Sequence, residues 1–248
     1  MYAEFTQVYD RLMAEVDYPA WAQHYRDLLS LHQVPDGALV TECACGTGSL
    51  TRHLARHYRM TGVDLSQGML SIAADKLRSD GLQVPLVRQD MQRLRVHKPQ
   101  QAVLATCDGV NYLTTPGALK RFFAAAHAAL VPGGVLAFDV STPYKLSVTL
   151  GQNTLSRLEG DVHYLWQNCF DEKADLLHML LHLYAREPDG RYRLIREEQV
   201  QRAWRLTELT DALGEAGFTG IRAFGGTKRV APADQDARWH LLAQRPNP

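Results

Sequence analysis

The run Leu39–Leu50 constrains the fold of this chain more than any other segment. An apolar stretch ends in Glu42, small residues follow at positions 44, 46 and 48, and a helix-forming sequence then begins. This order predicts a strand, a tight turn and the N-terminus of a helix. Gly46 and Gly48 have no Cβ, so a nucleotide-like ligand can approach the backbone of the turn. The acid at the strand end favours a ligand with a cationic or hydroxyl-bearing part over a bare polyphosphate.

Strand-like and helix-like segments alternate beyond this turn. Predicted strands cover 38–43, 60–63, 84–88, 101–106 and 135–140, and predicted helices cover 49–58, 66–78 and 116–130. The alternation predicts a parallel sheet with right-handed crossovers. In such sheets ligands bind at the carboxyl ends of the strands. We therefore expect a site lined by the acids that stand near those ends, namely Glu42, Asp64, Asp90, Asp108 and Asp139.

The rest of the chain adds a cap and an insertion. Helices are predicted over 3–13 and 20–32, before the alternation begins. Residues 142–205 hold three runs rich in apolar and aromatic residues with turn sequences between them, which predicts three antiparallel strands joined by two hairpins. A helix over 207–216 and strands over 218–224 and 238–243 follow. We expect a single domain, with a helical cap at 1–35, a core at 36–141 and 206–248, and a lid at 142–205.

Charge and composition exclude several classes of partner. The 27 Lys and Arg residues equal the 27 Asp and Glu residues, so no overall field attracts nucleic acid or an anionic membrane. The four cysteines form no disulfide framework, which indicates a reducing compartment. No secretory signal and no apolar run of membrane-spanning length are recognisable. We expect a cytoplasmic protein that is a monomer or a homodimer.

The glycine turn departs from the dinucleotide fingerprint Gly-x-Gly-x-x-Gly, because Ala44 and Ser49 replace its outer glycines. The observed order, acid-x-small-x-Gly-x-Gly, resembles the first motif of class I S-adenosylmethionine-dependent methyltransferases, with alanine for its first glycine. Segments resembling the later motifs of that family follow in order: Gly62–Ser66, Arg88–Met91, Cys107–Tyr112, Leu130–Phe138 and Ala216–Phe218.

The resemblance covers roughly residues 36–141 and 206–245. It implies an α/β fold with a Rossmann-like seven-stranded, mostly parallel sheet, helices on both faces and an antiparallel final strand. Residues 142–205 would add an antiparallel β insertion to that core. The cofactor that the resemblance implies is S-adenosyl-L-methionine.

The family's cofactor contacts transfer to matching positions of this chain. Asp64 would hold the ribose hydroxyls by charge-assisted hydrogen bonds, and Asp90 would reach the adenine amino group. The N-terminal segment resembles members in which an aromatic helix closes over the cofactor. Tyr9 is the predicted contact there, although Phe5, Tyr9 and Leu12 could equally serve only to dock the helix. The predicted cofactor-binding residues are Tyr9, Glu42, Ala44, Gly46, Gly48, Asp64, Leu65, Met69, Asp90, Met91 and Cys107.

Methyl transfer from a sulfonium needs in-line alignment of the reacting atoms and exclusion of water. A general base is needed only when the nucleophile arrives protonated. The predicted catalytic residues are Asp108, Tyr112 and His163. His178 and His182 share one face of a predicted strand, but no wider pattern demands a metal, and none is predicted.

These inferences predict an enzyme that transfers a methyl group from S-adenosylmethionine to a nitrogen or oxygen nucleophile of a small-molecule acceptor. Two alternatives stay open: a tRNA- or RNA-modifying methyltransferase, and a non-catalytic S-adenosylmethionine-binding module. A nicotinamide dehydrogenase is disfavoured by the missing third glycine. The acceptor is not identified by the sequence, because a fold does not determine its substrate.

Overall fold

The strands of the protein form two sheets in a computed structural model that describes residues 8–247. The strands are β1 (Leu39–Cys43), β2 (Arg59–Asp64), β3 (Leu86–Arg88), β4 (Gln100–Ala105), β5 (Leu130–Ser141), β6 (Thr154–Glu159), β7 (Val162–Asp171), β8 (Leu176–Arg186), β9 (Tyr192–Arg202), β10 (Thr219–Gly225) and β11 (Arg238–Gln244).

The larger sheet has seven strands in the order β10-β11-β5-β4-β1-β2-β3. Its pairs from β5 to β3 are parallel, and β11 runs antiparallel to both of its neighbours. The central strands β1 and β4 are buried almost throughout, as expected for parallel strands covered on both faces. The predicted fold class is confirmed.

The helices are α1 (Tyr18–Ser30), α2 (Thr51–Leu54), α3 (Gln67–Ser79), α4 (Pro116–Ala129) and α5 (Leu206–Glu215). Side-chain caps begin three of them: Asp17 accepts from the N–H of Ala20 at 2.9 Å, and Ser66 and Thr115 cap α3 and α4 in the same way. Residues 8–12 are also helical. Residues 3–7 of the helix predicted over 3–13, Phe5 among them, lie outside the described residues.

Helix α2 is a single turn, so the prediction of a helix over 49–58 was too long. The chain leaves the helix early because it must enter the sheet: the N–H of Arg59 donates to the carbonyl of Ala38 at 2.9 Å. Strand β5 begins five residues before the predicted start, because Leu130 already pairs with Gln100 of β4.

Two apolar layers cover the larger sheet. Alternate residues of β4 enter opposite layers, Val103 beneath α4 and α5 and Leu104 beneath α1 and α2. Phe122 and Phe138 are fully buried in the first layer. Burial of these side chains is the main stabilising contribution to the fold.

The smaller sheet is antiparallel, in the order β6-β7-β8-β9. It has four strands where three were predicted, because the short and largely polar β6 does not show an apolar run. Its apolar face packs against Val8 and against Met69 of α3, which connects the insertion to residues 8–12 and to a helix of the larger sheet. Within residues 8–247, no helix is long and apolar enough to cross a membrane.

Candidate active site

The turn after β1 has a left-handed backbone at Ala44, Gly46 and Gly48, with φ of 52°, 54° and 70°. A Cβ added at Gly46 would meet no heavy atom within 4 Å, whereas one at Gly48 would lie 3.1 Å from the Cβ of Ala73. Gly46 therefore borders open space, and Gly48 lets the loop pack closely on α3. Ala44 adopts a conformation that costs a residue with a Cβ roughly 1–2 kcal/mol.

Glu42, in β1 just before this loop, is buried and hydrogen-bonded at both carboxylate oxygens. The hydroxyls of Thr51 and Thr106 donate to its two carboxylate oxygens at 2.5 and 2.7 Å. Burial raises the pKa of Glu42 to about 7, although both hydrogen bonds oppose the shift. Both oxygens have partners within the protein, so Glu42 ties the loop to α2 and to the end of β4.

Asp64 joins the first two motifs. Its carboxylate accepts the N–H of Gly46 and the N–H of Ser66, each at 2.8 Å. Burial raises the pKa of Asp64, while these backbone hydrogen bonds oppose the shift. The acid at the end of β2 is thus held beside the open space at Gly46, and the side chain of the next residue, Leu65, is 65% exposed.

The third motif lies at the edge of the sheet. Asp90 accepts the N–H of Gln92 at 2.9 Å and caps a short 3₁₀ helix, Met91–Arg93. Met91 is half-buried and packs on the apolar layer beneath α4, and Met69 packs on the apolar cluster of the insertion.

The turn after β4 is held by a buried acid. Cys107 and Asp108 both have left-handed φ, 53° and 65°, and their N–H groups donate to Asp139 of β5 at 2.8 and 3.0 Å. The hydroxyl of Tyr25 also donates to Asp139, at 2.7 Å, and Arg238 of β11 hydrogen-bonds both Asp108 and Asp139. Such backbone strain persists only where the surroundings over-determine it.

Two of the three predicted catalytic residues lie near this turn. Burial alone would raise the pKa of Asp108, but the charges of Arg238 and Lys145 and its hydrogen bonds lower it below the usual value. Asp108 is therefore a paired anion and a poor proton acceptor. The hydroxyl of Tyr112 donates to Gln199 of β9 at 2.9 Å, which links the turn to the insertion.

The structure does not bring His163 to the site. Side chains alternate between the faces of a strand, and Val162 and Asn168 mark the buried face of β7. His163 is exposed on the other face, where its Nε2 is 2.8 Å from the hydroxyl oxygen of Ser156. His178 is exposed on the same outer face, and it pairs in register with Cys169.

Tyr9 lies beside the turn after β4. Its electrostatic neighbours include Tyr18, Tyr112, Cys107 and Asp108, and burial raises its pKa well above the usual value. Tyr9 also packs against the apolar cluster of the insertion.

Sequence reasoning missed the partners of the strand-end acids. Asp108 and Asp139 interact with three residues that no local motif marks. Tyr25 and Arg238 hydrogen-bond to them, and the charge of Lys145 lowers the pKa of Asp108. The position of Asp139 within an apolar strand was the one indication that such partners exist, because a buried carboxylate requires hydrogen-bond donors or a cation.

Comparison with known proteins agrees with this architecture. The profile of a methyltransferase domain matches residues 40–134. An S-adenosylmethionine-dependent methyltransferase from Clostridium acetobutylicum ATCC 824 superposes with a TM-score of 0.89, at 30% identity over 99% of each chain. YqeM of Bacillus subtilis (strain 168), named as a candidate methyltransferase, is 29% identical over 99% of this chain and 97% of its own length.

A third relative matches half of the chain. It is dTDP-3-amino-3,4,6-trideoxy-alpha-D-glucopyranose N,N-dimethyltransferase from Streptomyces venezuelae, 31% identical over 124 residues, which is 50% of each protein.

The glycine turn, the buried acid Glu42 at the strand end and the order of the sheet agree with these matches to methyltransferases. The chain belongs to the class I S-adenosylmethionine-dependent methyltransferases, and it is an enzyme of that class.

Proposed function

We propose that the protein binds S-adenosylmethionine at the carboxyl ends of β1, β2 and β4. It transfers the methyl group to a nitrogen or oxygen nucleophile of a small-molecule acceptor. The acceptor lies between the turn after β4 and the insertion. In domain terms, residues 1–35 form a cap, 36–141 and 206–248 the cofactor-binding core, and 142–205 the lid.

One observation carries the proposal for the cofactor. Asp64 is fixed by the N–H groups of Gly46 and Ser66, next to the open space at Gly46. Each carboxylate oxygen can accept further hydrogen bonds, which suits the two hydroxyls of a ribose. The backbone at Gly46 leaves room for the amino-acid part of the ligand.

Other predicted residues take supporting positions in the same proposal. The side chains of Leu65, Met69, Asp90 and Met91 bound the adenine, and Ala44 and Gly48 shape the loop. Cys107 and Tyr9 lie toward the transferred methyl. Burial raises the pKa of the Cys107 thiol, so the thiol stays protonated and does not compete as a nucleophile.

Bound S-adenosylmethionine supplies a methyl group already activated by the sulfonium charge. The chain's own residues orient the acceptor and exclude water. Because Asp108 is paired with Arg238, it is a weak base for removing a proton from the acceptor. An amine that binds unprotonated needs no base for the transfer step. Tyr112, 46% exposed and bonded to the insertion, is the residue we assign to acceptor contact.

An amine acceptor on a small polar molecule fits these features best. The relative from Streptomyces venezuelae is named for the dimethylation of an amino sugar. The equal numbers of acidic and basic residues provide no electrostatic attraction for RNA. The cytoplasmic location and the monomeric or homodimeric state stay predictions.

Calorimetric titration with S-adenosylhomocysteine tests the cofactor, with NAD as the control ligand. Binding of the first and not of the second is expected, and failure of the folded protein to bind S-adenosylhomocysteine would overturn the proposal. A methyl-transfer screen over amines, hydroxyl compounds and tRNA then tests the acceptor class. Transfer to tRNA alone would replace the small-molecule proposal by the RNA-modifying alternative, and transfer to none would favour the non-catalytic module.

A further inference from the structure

Asp10 lies beside the glycine loop in a cluster of charged and hydroxyl groups. The hydroxyl of Thr47 donates to its Oδ1 at 2.6 Å, and the ammonium of Lys76 lies 2.8 Å from its Oδ2. Lys76 also donates to the hydroxyl oxygens of Ser49 and Thr47, at 2.6 and 3.1 Å. The ammonium thus has an acceptor for each of its three hydrogens.

The cluster joins three separate parts of the chain. Asp10 belongs to helical residues 8–12, Thr47 and Ser49 belong to the glycine loop, and Lys76 belongs to α3. Thr47 is 2% exposed, the side chain of Lys76 is 15% exposed and that of Asp10 is 39% exposed, so the ion pair is shielded from water mainly on its lysine side. Charge-assisted hydrogen bonds to Thr47 and Ser49 add to this pair what an isolated surface ion pair lacks.

The same helical turn contacts the insertion and the turn after β4. Val8, 1% exposed, and Leu12 pack in the apolar cluster formed by the insertion. Tyr9 has Cys107 and Asp108 among its electrostatic neighbours. Residues 8–12 therefore lie between the cofactor loop on one side and the lid on the other, with Asp10 as their polar connection to the loop.

We propose that Asp10 is a positioning residue: through Thr47 and Lys76 it holds residues 8–12 on the glycine loop and so couples cofactor binding to the placement of the lid. The inference rests on the proposed cofactor site. Separation of residues 8–12 from the loop breaks the bonds of Asp10 and leaves the loop at Thr47 and Ser49 without this support. A bound cofactor then dissociates more readily, and a bound cofactor in turn keeps residues 8–12 in place.

The test uses the full chain with S-adenosylhomocysteine as the probe. Asp10→Ala and Lys76→Met each remove one side of the ion pair, and Asp10→Asn keeps an acceptor for Thr47 but removes the charge. Asp75→Ala is the matched control, because the carboxylate of Asp75 pairs with Arg78 on the exposed side of the same helix. Affinity is measured by calorimetry, and exchange of the amides of residues 9–13 is measured with and without the ligand.

We expect Asp10→Ala and Lys76→Met to weaken S-adenosylhomocysteine binding by roughly 5- to 30-fold, as for the loss of one hydrogen-bonded charge. The ligand should protect the amides of residues 9–13 in the wild type, including the Met13 N–H that donates to the Tyr9 carbonyl. This protection should be lost in both variants and kept in Asp75→Ala. The affinity of Asp10→Asn should lie between those of the wild type and Asp10→Ala. The double variant, which combines Asp10→Ala with Lys76→Met, should bind no more weakly than Asp10→Ala alone.

Unchanged affinity and protection in Asp10→Ala and Asp10→Asn, with binding retained by the wild type, would overturn this inference and leave the cofactor proposal intact. A lower melting temperature with unchanged ligand-dependent protection would show a merely structural role and would also overturn it. If the wild type binds no S-adenosylhomocysteine, the proposed function fails, and the coupling fails with it.

Discussion

Arg238, the first residue of β11, forms an ion pair with Asp108, which lies 130 positions earlier in the turn after β4. The same guanidinium binds Asp139 of β5 and lies over the ring of Trp21 at 5.0 Å. One guanidinium of the last strand thus pairs with two acids near the carboxyl ends of β4 and β5. The turn that faces the proposed acceptor depends on a strand at the far end of the sequence.

Replacement of Arg238 by Met should destabilise the protein strongly. It would leave Asp139, whose side chain is 0% exposed, without its cation. Removal of one partner of a buried ion pair costs about 3–5 kcal/mol. Urea unfolding measures the change, with Arg191→Met as the control, since that side chain is 86% exposed. An equal loss in both variants would contradict the assigned role of Arg238.

Replacement of Asp64 by Ala should weaken S-adenosylhomocysteine binding by roughly 100-fold, because hydrogen bonds to a charged group contribute about 1.5–3 kcal/mol each. Asp64→Asn keeps part of the acceptor geometry and should lose less. Calorimetry measures both variants. The control is Asp80→Ala. The carboxylate of Asp80 accepts from Arg52 at 2.7 Å, at the C-terminal end of α3. Wild-type affinity in Asp64→Ala would contradict the ribose assignment.

Glu42 should make stability depend on pH in the neutral range. Its pKa is raised to about 7 in the folded protein, so the folded state favours the protonated carboxyl. The associated stability is fully present below the unfolded pKa of about 4.5 and is lost as the pH rises through about 7. Relative to Glu42→Gln, the free energy of unfolding of the wild type should fall by about 3 kcal/mol between pH 4.5 and pH 8.

Denaturant unfolding of both proteins over this pH range measures the difference. A constant difference would show that Glu42 does not titrate in the folded protein above its usual range. Glu187→Gln is the control, because that side chain is exposed at 40% and pairs with Arg193.

His240 should act in the opposite direction. Burial, together with the charges of His24 and Arg238, lowers its pKa to about 3, so the folded protein holds it neutral. Among the residues that the structure describes, neither ring nitrogen has a hydrogen-bond partner. Protonation favours the unfolded chain, so stability is lost as the pH falls below about 6.5, by up to about 1.4 kcal/mol per pH unit.

His240→Phe should reduce this acid sensitivity, because an apolar ring suits the aromatic surroundings formed by Trp21 and Tyr25. Unfolding at pH 4.5, 5.5 and 6.5 measures the slope. The exposed His97 provides the control His97→Phe, which should keep the wild-type slope. Equal slopes in the wild type and His240→Phe would contradict the prediction.

The glycine turn and the acid at the end of β2 were predictable because each motif is contiguous. Leu39–Leu50 and Gly62–Ser66 each hold a strand end and the turn after it, and short-range sterics decide such turns. The structure joins the two motifs through Asp64 and Gly46, as the order of parallel strands requires.

The insertion was less predictable. The position of His163 on the outer face of β7 depends on the register of a hairpin, and a shift of one residue would reverse it. Strand β6 was not predicted, because it lies at the edge of its sheet and has few apolar residues.

By itself, the sequence determined the alternation of strands and helices, the glycine turn and the acids at the strand ends, because each depends on neighbours a few positions away. Only the tertiary structure decided which groups neutralise those acids. Arg238 reaches Asp108 and Asp139 because β11 inserts beside β5, and Lys76 reaches Asp10 because α3 packs beside the glycine loop. Such pairings depend on strand order and packing across the whole chain, and no local spacing encodes them.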